Sequence, residues 1–240
     1  MTRKLKLEPP FFEIGPKNYL YGDQIVELAR MADEAAEKYD VRVIFTTPYA
    51  NIEKVAGTVK HLQVFAPHMD AIPVGRGLAN ILPESLKAAG AVGVMLNHAE
   101  FPLSTSTLVH TLKRARELNL MSIVCSDSMY EIRAIAQMHP DMMIAEPAEL
   151  IGTGEAADLS YVSKACEAIV QIDPNIGILV GGGISSGDDV YQVIMNGADA
   201  TGSSSGIVKA RDPKAMIDEM LSALRTAWDE RHAFRGGRYA

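Results

Sequence analysis

Four residues of the sequence carry side chains that can move protons, and each follows a short apolar run. Lys17 follows FFEIGP, His98 and Glu100 follow AVGVMLN, and Glu146 follows MMIA. A partly buried carboxylate has a raised pKa and is a competent base for a carbon-bound proton. A histidine can polarise a carbonyl group or shuttle a proton between oxygens, and a lysine can stabilise an enediolate. The alternative roles are structural: a salt-bridged strand-end carboxylate, a rim histidine and a surface lysine.

Two glycine-rich segments, GGGISSGDD and GSSSGIVKARDP, are suited to hold an anion. Glycine lets backbone amides approach a phosphate, and a helix N-terminus favours negative charge. A third segment, ELIGTGEAAD, follows Glu146, and its glycines can act as hinges of a lid whose amides also bind phosphate. Glycine-rich turns without a ligand are the alternative. The residues that we expect to bind substrate or phosphate in these segments are Gly152, Gly154, Gly182, Gly183, Ser185, Ser205 and Gly206.

Eight short β-rich runs, separated by helical stretches, must position these residues. The runs are FFEIGP, VRVIFTTP, LQVFAPH, AVGVMLNHAE, MSIVCSD, MMIAEP, IGILVGGG and ADATGSSSG, which start at Phe11, Val41, Leu62, Ala91, Met121, Met142, Ile176 and Ala198. Near-continuous apolar runs are typical of parallel strands buried on both faces. The stretches between them, such as DQIVELARMADEAAEKY and STLVHTLKRARELN, have apolar residues at three-to-four spacing.

Eight βα units in 240 residues predict an α/β fold, a single-domain (β/α)8 barrel over residues 1–240. A doubly wound open sheet is the weaker alternative, because no GxGxxG follows the first strand. In a barrel the active site lies at the carboxyl ends of the strands, and phosphate sites commonly use the loops after strands seven and eight. Lys17, His98 and Glu146 would then meet at one mouth, beside both glycine-rich loops. The last residues, 231–240, are expected to form a flexible tail.

Composition excludes several function classes. Apolar residues make up 48% and charged residues 22%, and the net charge of −7, with no basic stripe, argues against nucleic-acid binding. An anionic substrate must therefore be held by local amides and one or two cations. No apolar run is long enough to span a membrane, and the start lacks a signal-peptide core, so we expect a cytoplasmic protein. Cys125 and Cys166 form no metal motif and are expected to be buried thiols.

Four segments together resemble the triosephosphate isomerase family, most closely its archaeal short-chain branch, over roughly residues 11–213. They are LPESLKAAGAVGVMLNHAE, AEPAELIGTG, GGGISSGDDV and SSGIVKARDP. The resemblance implies a TIM barrel without cofactor or metal, a homodimer or homotetramer, and interconversion of glyceraldehyde 3-phosphate with dihydroxyacetone phosphate in carbohydrate metabolism, as in glycolysis. It implies that Glu146 removes a carbon-bound proton, that His98 acts on the oxygens and that Lys17 stabilises charge. Asn97 and Glu100 are implied as supporting residues.

The end of the first strand departs from the family pattern. The family has Asn-x-Lys there, whereas this chain has Gly15-Pro16-Lys17, so the lysine is kept and the asparagine that helps to hold substrate is not. A larger substrate or a water could fill the space. Glu13 would point to the same side as Gly15 in a regular strand. His68, in APHMD, is expected to be structural or to serve assembly.

Three alternatives to a triosephosphate isomerase remain at this point. One is an isomerase of a four-carbon sugar phosphate, such as erythrulose phosphate, which Gly15 would admit. Another is a non-catalytic sugar-phosphate sensor, against which the retention of His98 and Glu146 argues. The third is a Schiff-base aldolase, which needs a lysine on an inner strand position. Lys209 lies beyond Gly206 and does not provide one.

Overall fold

Eight short parallel strands form the centre of the molecule. A computed structural model of the chain describes residues 7–236. The strands are β1 (Phe11–Ile14), β2 (Arg42–Thr46), β3 (Leu62–Ala66), β4 (Gly93–Leu96), β5 (Met121–Ser126), β6 (Met142–Ala145), β7 (Gly177–Val180) and β8 (Ala200–Ser203). Each lies within one of the eight apolar runs, so the predicted strands are confirmed.

Every strand pairs in parallel with its neighbour in the chain, and β8 pairs with β1 to close the ring. In the closing pair Phe11 lies opposite Ala200 and Ile14 lies opposite Ser203. The predicted (β/α)8 barrel is therefore confirmed, and the open sheet is excluded.

Alternation along the strands divides the apolar side chains into two layers. Phe11 points into the barrel with Ile44, Phe65 and Met95, whereas its neighbour Phe12 points outward, into the layer that packs against the helices. This period of two follows from the pleat of a strand. The barrel is thus a packed core, and a ligand can enter only at its ends.

Helices follow the strands and cover the barrel. They are α1 (Asp23–Tyr39), α2 (Ile52–Ala56), α3 (Pro83–Ala88), α4 (Thr105–Glu117), α5 (Met129–Ala136), α6 (Leu159–Ile172), α7 (Gly187–Met195), α8 (Ser205–Val208) and α9 (Pro213–Gly236). Ser186 and Asp189 form a capping box at the start of α7. Within residues 7–236, no helix combines the length and apolarity needed to cross a membrane.

Residues 231–236, the first part of the predicted tail, continue α9, which ends at Gly236. Arg231 holds this segment in place: its guanidinium group is buried and donates hydrogen bonds at 2.6 Å to the carbonyl oxygens of Ile194 and Ala198. The Ile194 carbonyl lies in the last turn of α7 and the Ala198 carbonyl lies beyond it, where no backbone N–H of the helix is available as a donor. The rest of the predicted tail, residues 237–240, lies outside the described residues.

This contact predicts a stability loss on substitution. Arg231→Met keeps an apolar stem but leaves two buried carbonyls without a donor, so the free energy of unfolding should fall by about 3 kcal/mol. Urea unfolding followed by circular dichroism measures the change. The control is Arg30→Met, since Arg30 is exposed and pairs with Glu27 three residues earlier; it should change stability by less than about 0.5 kcal/mol. Equal effects of the two substitutions would contradict the assignment.

Candidate active site

A cavity of about 400 Å³ opens at the carboxyl ends of the strands, a size that suits a small molecule. Lys17, His98 and Glu146 line it together, as the barrel geometry predicts. The side chains come from the loops after β1, β4 and β6, which are distant in sequence. The closed ring of strands is what brings them to one rim.

Glu146 follows β6 directly, and its backbone N–H continues the ladder by donating to the Ser126 carbonyl at 2.9 Å. The strand therefore fixes where the carboxylate stands, and 18% of the side chain is exposed. Burial raises the pKa of Glu146, while Lys17 and the Gly182 backbone N–H oppose this rise. A carboxylate with a raised pKa binds a proton more readily, which is what a general base at neutral pH requires.

His98 lies beside this carboxylate, with 3.9 Å between Nε2 of His98 and Oε2 of Glu146. Burial lowers the pKa of His98 and Lys17 lowers it further, so the ring is neutral at pH 7. The Glu100 backbone N–H donates to Nδ1 at 3.1 Å. An accepting Nδ1 leaves the ring proton on Nε2, on the side of Glu146. The neutral histidine is thus set as a hydrogen-bond donor to a molecule in the cavity.

Lys17 is tied to Glu100 by an ion pair of 2.7 Å between Nζ and Oε1. The ion pair lowers the pKa of Glu100, which is therefore ionised at neutral pH. Lys17 has a left-handed backbone, with φ of 48°. Among the residues of 7–236 that line the cavity, it is the one lysine or arginine. The pair holds the cavity's cation at the rim while 26% of its side chain remains exposed.

Asn97 supports the loop that carries His98 and does not itself line the cavity. Its Nδ2 donates to the Cys125 carbonyl at 3.0 Å and to Oε1 of Glu131 at 3.1 Å. Its Oδ1 accepts from the Leu103 N–H at 2.8 Å. The first two bonds join the loop after β4 to β5 and α5, and the third closes the loop on itself, so Asn97 positions the histidine through the backbone.

The two glycine-rich loops reach the cavity only in part. Gly182, Gly183 and Ser205 line it, whereas Ser185 and Gly206 do not. The N–H and hydroxyl of Ser185 both donate to Oδ2 of Asp189, at 2.9 and 3.1 Å. A Cβ on Gly206 would lie 2.4 Å from the Ile184 carbonyl oxygen, so this glycine allows the two loops to pack against each other. Ser185 and Gly206 thus shape the loops from outside the cavity.

The segment after Glu146 lies against the first glycine-rich loop. Gly152 lines the cavity, and the Gly154 carbonyl accepts from the Ser185 hydroxyl at 3.3 Å. Both glycines have left-handed backbones, with φ of 77° and 80°. A Cβ on Gly183 would lie 1.9 Å from the Glu155 carbonyl oxygen, so only glycine permits this contact. The segment after Glu146 thus packs closely on the first glycine-rich loop.

Several cavity residues have weak sequence signals. Glu13 and Gly15 both line the floor, side by side, as a regular first strand predicts. Thr46 and Tyr49 line the cavity but follow no pattern that the sequence reveals. His68 forms part of the wall, where its ring packs on Phe101 at 4.7 Å between centroids. No group of three side chains suited to hold a metal comes together within residues 7–236.

The sequence is similar to those of known triosephosphate isomerases over most of its length. A sequence profile of the triosephosphate isomerase family matches residues 16–220. The triosephosphate isomerase of Saccharolobus solfataricus is 34% identical over 224 residues, which are 91% of this chain and 98% of that protein. That of Methanosarcina barkeri is 35% identical over 220 residues, 90% of this chain and 99% of that protein. The enzyme of Methanobacterium bryantii is 34% identical over 222 residues, 90% and 98% of the two chains.

The electrostatics of the cavity predict how His98 titrates. The His98 signal in the ¹⁵N spectrum of histidine-labelled protein is identified as the one missing from the His98→Gln variant. Its pKa should lie below the ordinary histidine value, because the ring is buried beside a cation. Lys17→Met should raise that pKa, since it removes the cation and leaves Glu100. The control Lys54→Met removes an exposed lysine paired with Asp23 and should leave the pKa unchanged. A His98 pKa that does not respond to Lys17→Met would contradict the assigned electrostatics.

Proposed function

The chain belongs to the triosephosphate isomerase family, and we propose that the cavity interconverts glyceraldehyde 3-phosphate and dihydroxyacetone phosphate through an enediol. The activity is aldose–ketose isomerisation, an intramolecular oxidoreduction of a small phosphorylated sugar. The observation that supports the mechanism best is the placement of Glu146 3.9 Å from a neutral His98, with Lys17 on the same rim.

Glu146 is the proposed base. It takes the proton from the carbon beside the carbonyl group, and the C–H electron pair moves to form the enediolate. The protonated carboxyl then returns a proton to the neighbouring carbon, so the base is regenerated and no redox partner is needed. Burial supports this role, because the raised pKa of Glu146 brings its basicity closer to that of the carbon acid.

His98 is the proposed donor to the substrate oxygens. Its Nε2–H hydrogen-bonds to the carbonyl oxygen while negative charge develops there, and the ring moves a proton between the two oxygens of the enediol. A lowered pKa suits this role, since a neutral ring has a proton to give and is not already paired as a cation with Glu146. The Glu100 backbone N–H on Nδ1 keeps the ring in the required tautomer.

Lys17 is the proposed source of positive charge for the anionic substrate and the enediolate. Glu100 positions it through the 2.7 Å ion pair, so Glu100 acts through the lysine and the histidine loop. For the phosphate group we propose the backbone amides of Gly183 and Ser205, joined by that of Gly182 once it leaves the Glu146 carboxylate. Gly152 and Gly154 would lie in a lid that closes over the phosphate. Ser185 and Gly206 would support these loops, and Gly15 would border the opposite end of the substrate.

The other functions considered for this chain find no support. The family match and the triosephosphate isomerase relatives support neither a four-carbon isomerase nor a non-catalytic sensor. Neither Lys17 nor Lys209 suits a Schiff-base aldolase: Lys17 is ion-paired, and Lys209 is exposed, with its Nζ 4.9 Å from the centroid of the Tyr19 ring.

A homodimer or homotetramer and a cytoplasmic, glycolytic role are further proposals, which rest on the family likeness. Assembly is also supported by exposed apolar side chains in the loop between β3 and α3: Val74 is 71% exposed and Leu78 fully exposed. Such side chains are candidates for an interface. Light scattering at micromolar concentration should give a mass of two or four chains, and the monomer mass would contradict assembly.

Substitution of the base tests the proposed reaction. With glyceraldehyde 3-phosphate as substrate, Glu146→Gln should lower kcat by about 10³-fold, because glutamine cannot accept the carbon-bound proton. KM should change little, since the phosphate contacts are kept. The matched control is Glu167→Gln, an exposed position on α6 outside the cavity, which should retain wild-type kinetics. A kcat for Glu146→Gln within tenfold of wild type would overturn the assignment of the base.

A further inference from the structure

Glu13 is the one charged residue of β1, and it points into the barrel. Its side chain lies on the floor of the cavity that also holds Glu146, and the residue is 8% exposed. The neighbours in register are Ile44 on β2 and Gly202 on β8. A carboxyl group in such apolar surroundings costs free energy, so its presence at a binding cavity calls for a functional reason.

Two glycines make room for this carboxyl group. A Cβ on Gly15 would lie 3.0 Å from Oε1 of Glu13, and a Cβ on Gly202 would lie 3.2 Å from Oε2 and 2.9 Å from Cβ of Glu13. Gly15 does not have a left-handed backbone. The space taken by Glu13, and not backbone strain, therefore favours glycine at position 15. Glu13 fills the region into which a side chain at position 15 would extend.

The floor of the cavity also holds two unsatisfied polar atoms. Oε1 of Glu13 and Oγ1 of Thr46 are both buried, and neither makes a hydrogen bond of good geometry among the described residues, although the Thr46 hydroxyl lies close enough to the Glu13 carboxyl group to oppose the rise of its pKa. Buried polar atoms without partners are rare in folded proteins. Both residues line the cavity, so a bound molecule can supply the missing partner.

The charges around the cavity favour a neutral Glu13. The pKa of Glu13 is raised to about 7: burial is the largest cause and Glu146 adds to it, while the Thr46 hydroxyl and Lys17 oppose the rise. The other titratable group facing it from the barrel interior is the Cys125 thiol, whose pKa burial raises well above the ordinary value, so it is neutral. Among the described residues that line the cavity, three are glutamates, Glu13, Glu100 and Glu146, and one is a lysine or arginine, Lys17. Of the three, Glu100 is ionised by its ion pair and Glu146 must be ionised to act as a base.

We propose that Glu13 is a substrate-binding residue, whose neutral carboxyl group donates a hydrogen bond to an uncharged oxygen of the sugar phosphate. This inference rests on the proposed function of the cavity. The substrate atom that accepts this hydrogen bond is a hydroxyl or carbonyl oxygen. The phosphate group is excluded because Glu146 would repel it and because the amides of the glycine-rich loops are its proposed site. Gly15 has no side chain and cannot donate a hydrogen bond to the substrate. Glu13, two residues earlier on the same side of the strand, supplies that donor instead.

The sign of the pH dependence follows from the protonation state. The donor is present while Glu13 is protonated, so kcat/KM for glyceraldehyde 3-phosphate should decline as pH rises through about 7. Glutamine has nearly the same shape and donates at every pH. Glu13→Gln should therefore keep kcat/KM within about threefold of wild type at pH 6 and lose the decline between pH 6 and 8.

Removal of the donor should weaken substrate binding. Glu13→Leu has a similar volume and no polar atom, so kcat/KM at pH 6 should fall about tenfold or more, with a raised KM. Inorganic phosphate, used as a competitive inhibitor, should bind equally to all variants because it reaches only the glycine-rich loops. In the double variant Glu13→Val, Gly15→Asn, an amide can extend into the vacated space, and it should recover most of the lost activity.

The outcomes separate this inference from the proposed function. Wild-type protein that turns over the triose, with Glu13→Leu equal to it in KM and kcat, overturns the role of Glu13 and leaves the isomerase standing. If Glu13→Leu fails to fold, Glu13→Gln decides: a flat profile supports the inference, and an unchanged alkaline decline overturns it. Absence of triose turnover in wild-type protein that still binds inorganic phosphate contradicts the proposed function itself.

Discussion

The pairing of β8 with β1 is the constraint on which the rest of the structure depends. It closes eight strands into a ring, so that their carboxyl ends share one rim and side chains from across the chain meet there. The closure also joins the first strand to the last loop, where the Ser204 hydroxyl donates to the Gly15 carbonyl at 2.5 Å. Without it, Lys17 and the second glycine-rich loop would lie at opposite edges of an open sheet.

Closure has an electrostatic consequence, because a rim around a packed barrel is poorly solvated. Burial raises the pKa of Glu146 and lowers that of His98, and both shifts move the groups toward the neutral form. The ion pair between Lys17 and Glu100 places one positive and one negative charge on the same rim. The result is a base of increased basicity beside a neutral donor, an arrangement that water alone would not produce. The same burial acts on Glu13 at the cavity floor.

The periodicity of the sequence predicts the strands and the order of the barrel, since both follow from local patterning and strong topological rules. It also predicts which loops share the rim, so the convergence of Lys17, His98 and Glu146 could be anticipated. Contacts that depend on tertiary packing could not be predicted from the sequence. One example is the Ser185 backbone N–H, which donates a hydrogen bond to the Asp189 carboxylate. Another is Arg231, which anchors a segment whose composition resembles a tail. The position of Glu13 two residues before Gly15 was the sequence's signal for this residue, but its unsatisfied oxygen becomes evident only in three dimensions.

Proton transfer through a single base is the central claim, and isomerisation in D₂O tests it most directly. Glyceraldehyde 3-phosphate is converted by the wild-type protein, and the product is followed by ¹H NMR at the carbon beside the carbonyl group. A base that exchanges its proton with solvent before returning it should place deuterium on that carbon during turnover. Product that carries all of its original hydrogen, with no deuterium at any stage of the reaction, would indicate a direct hydride shift and would contradict the account.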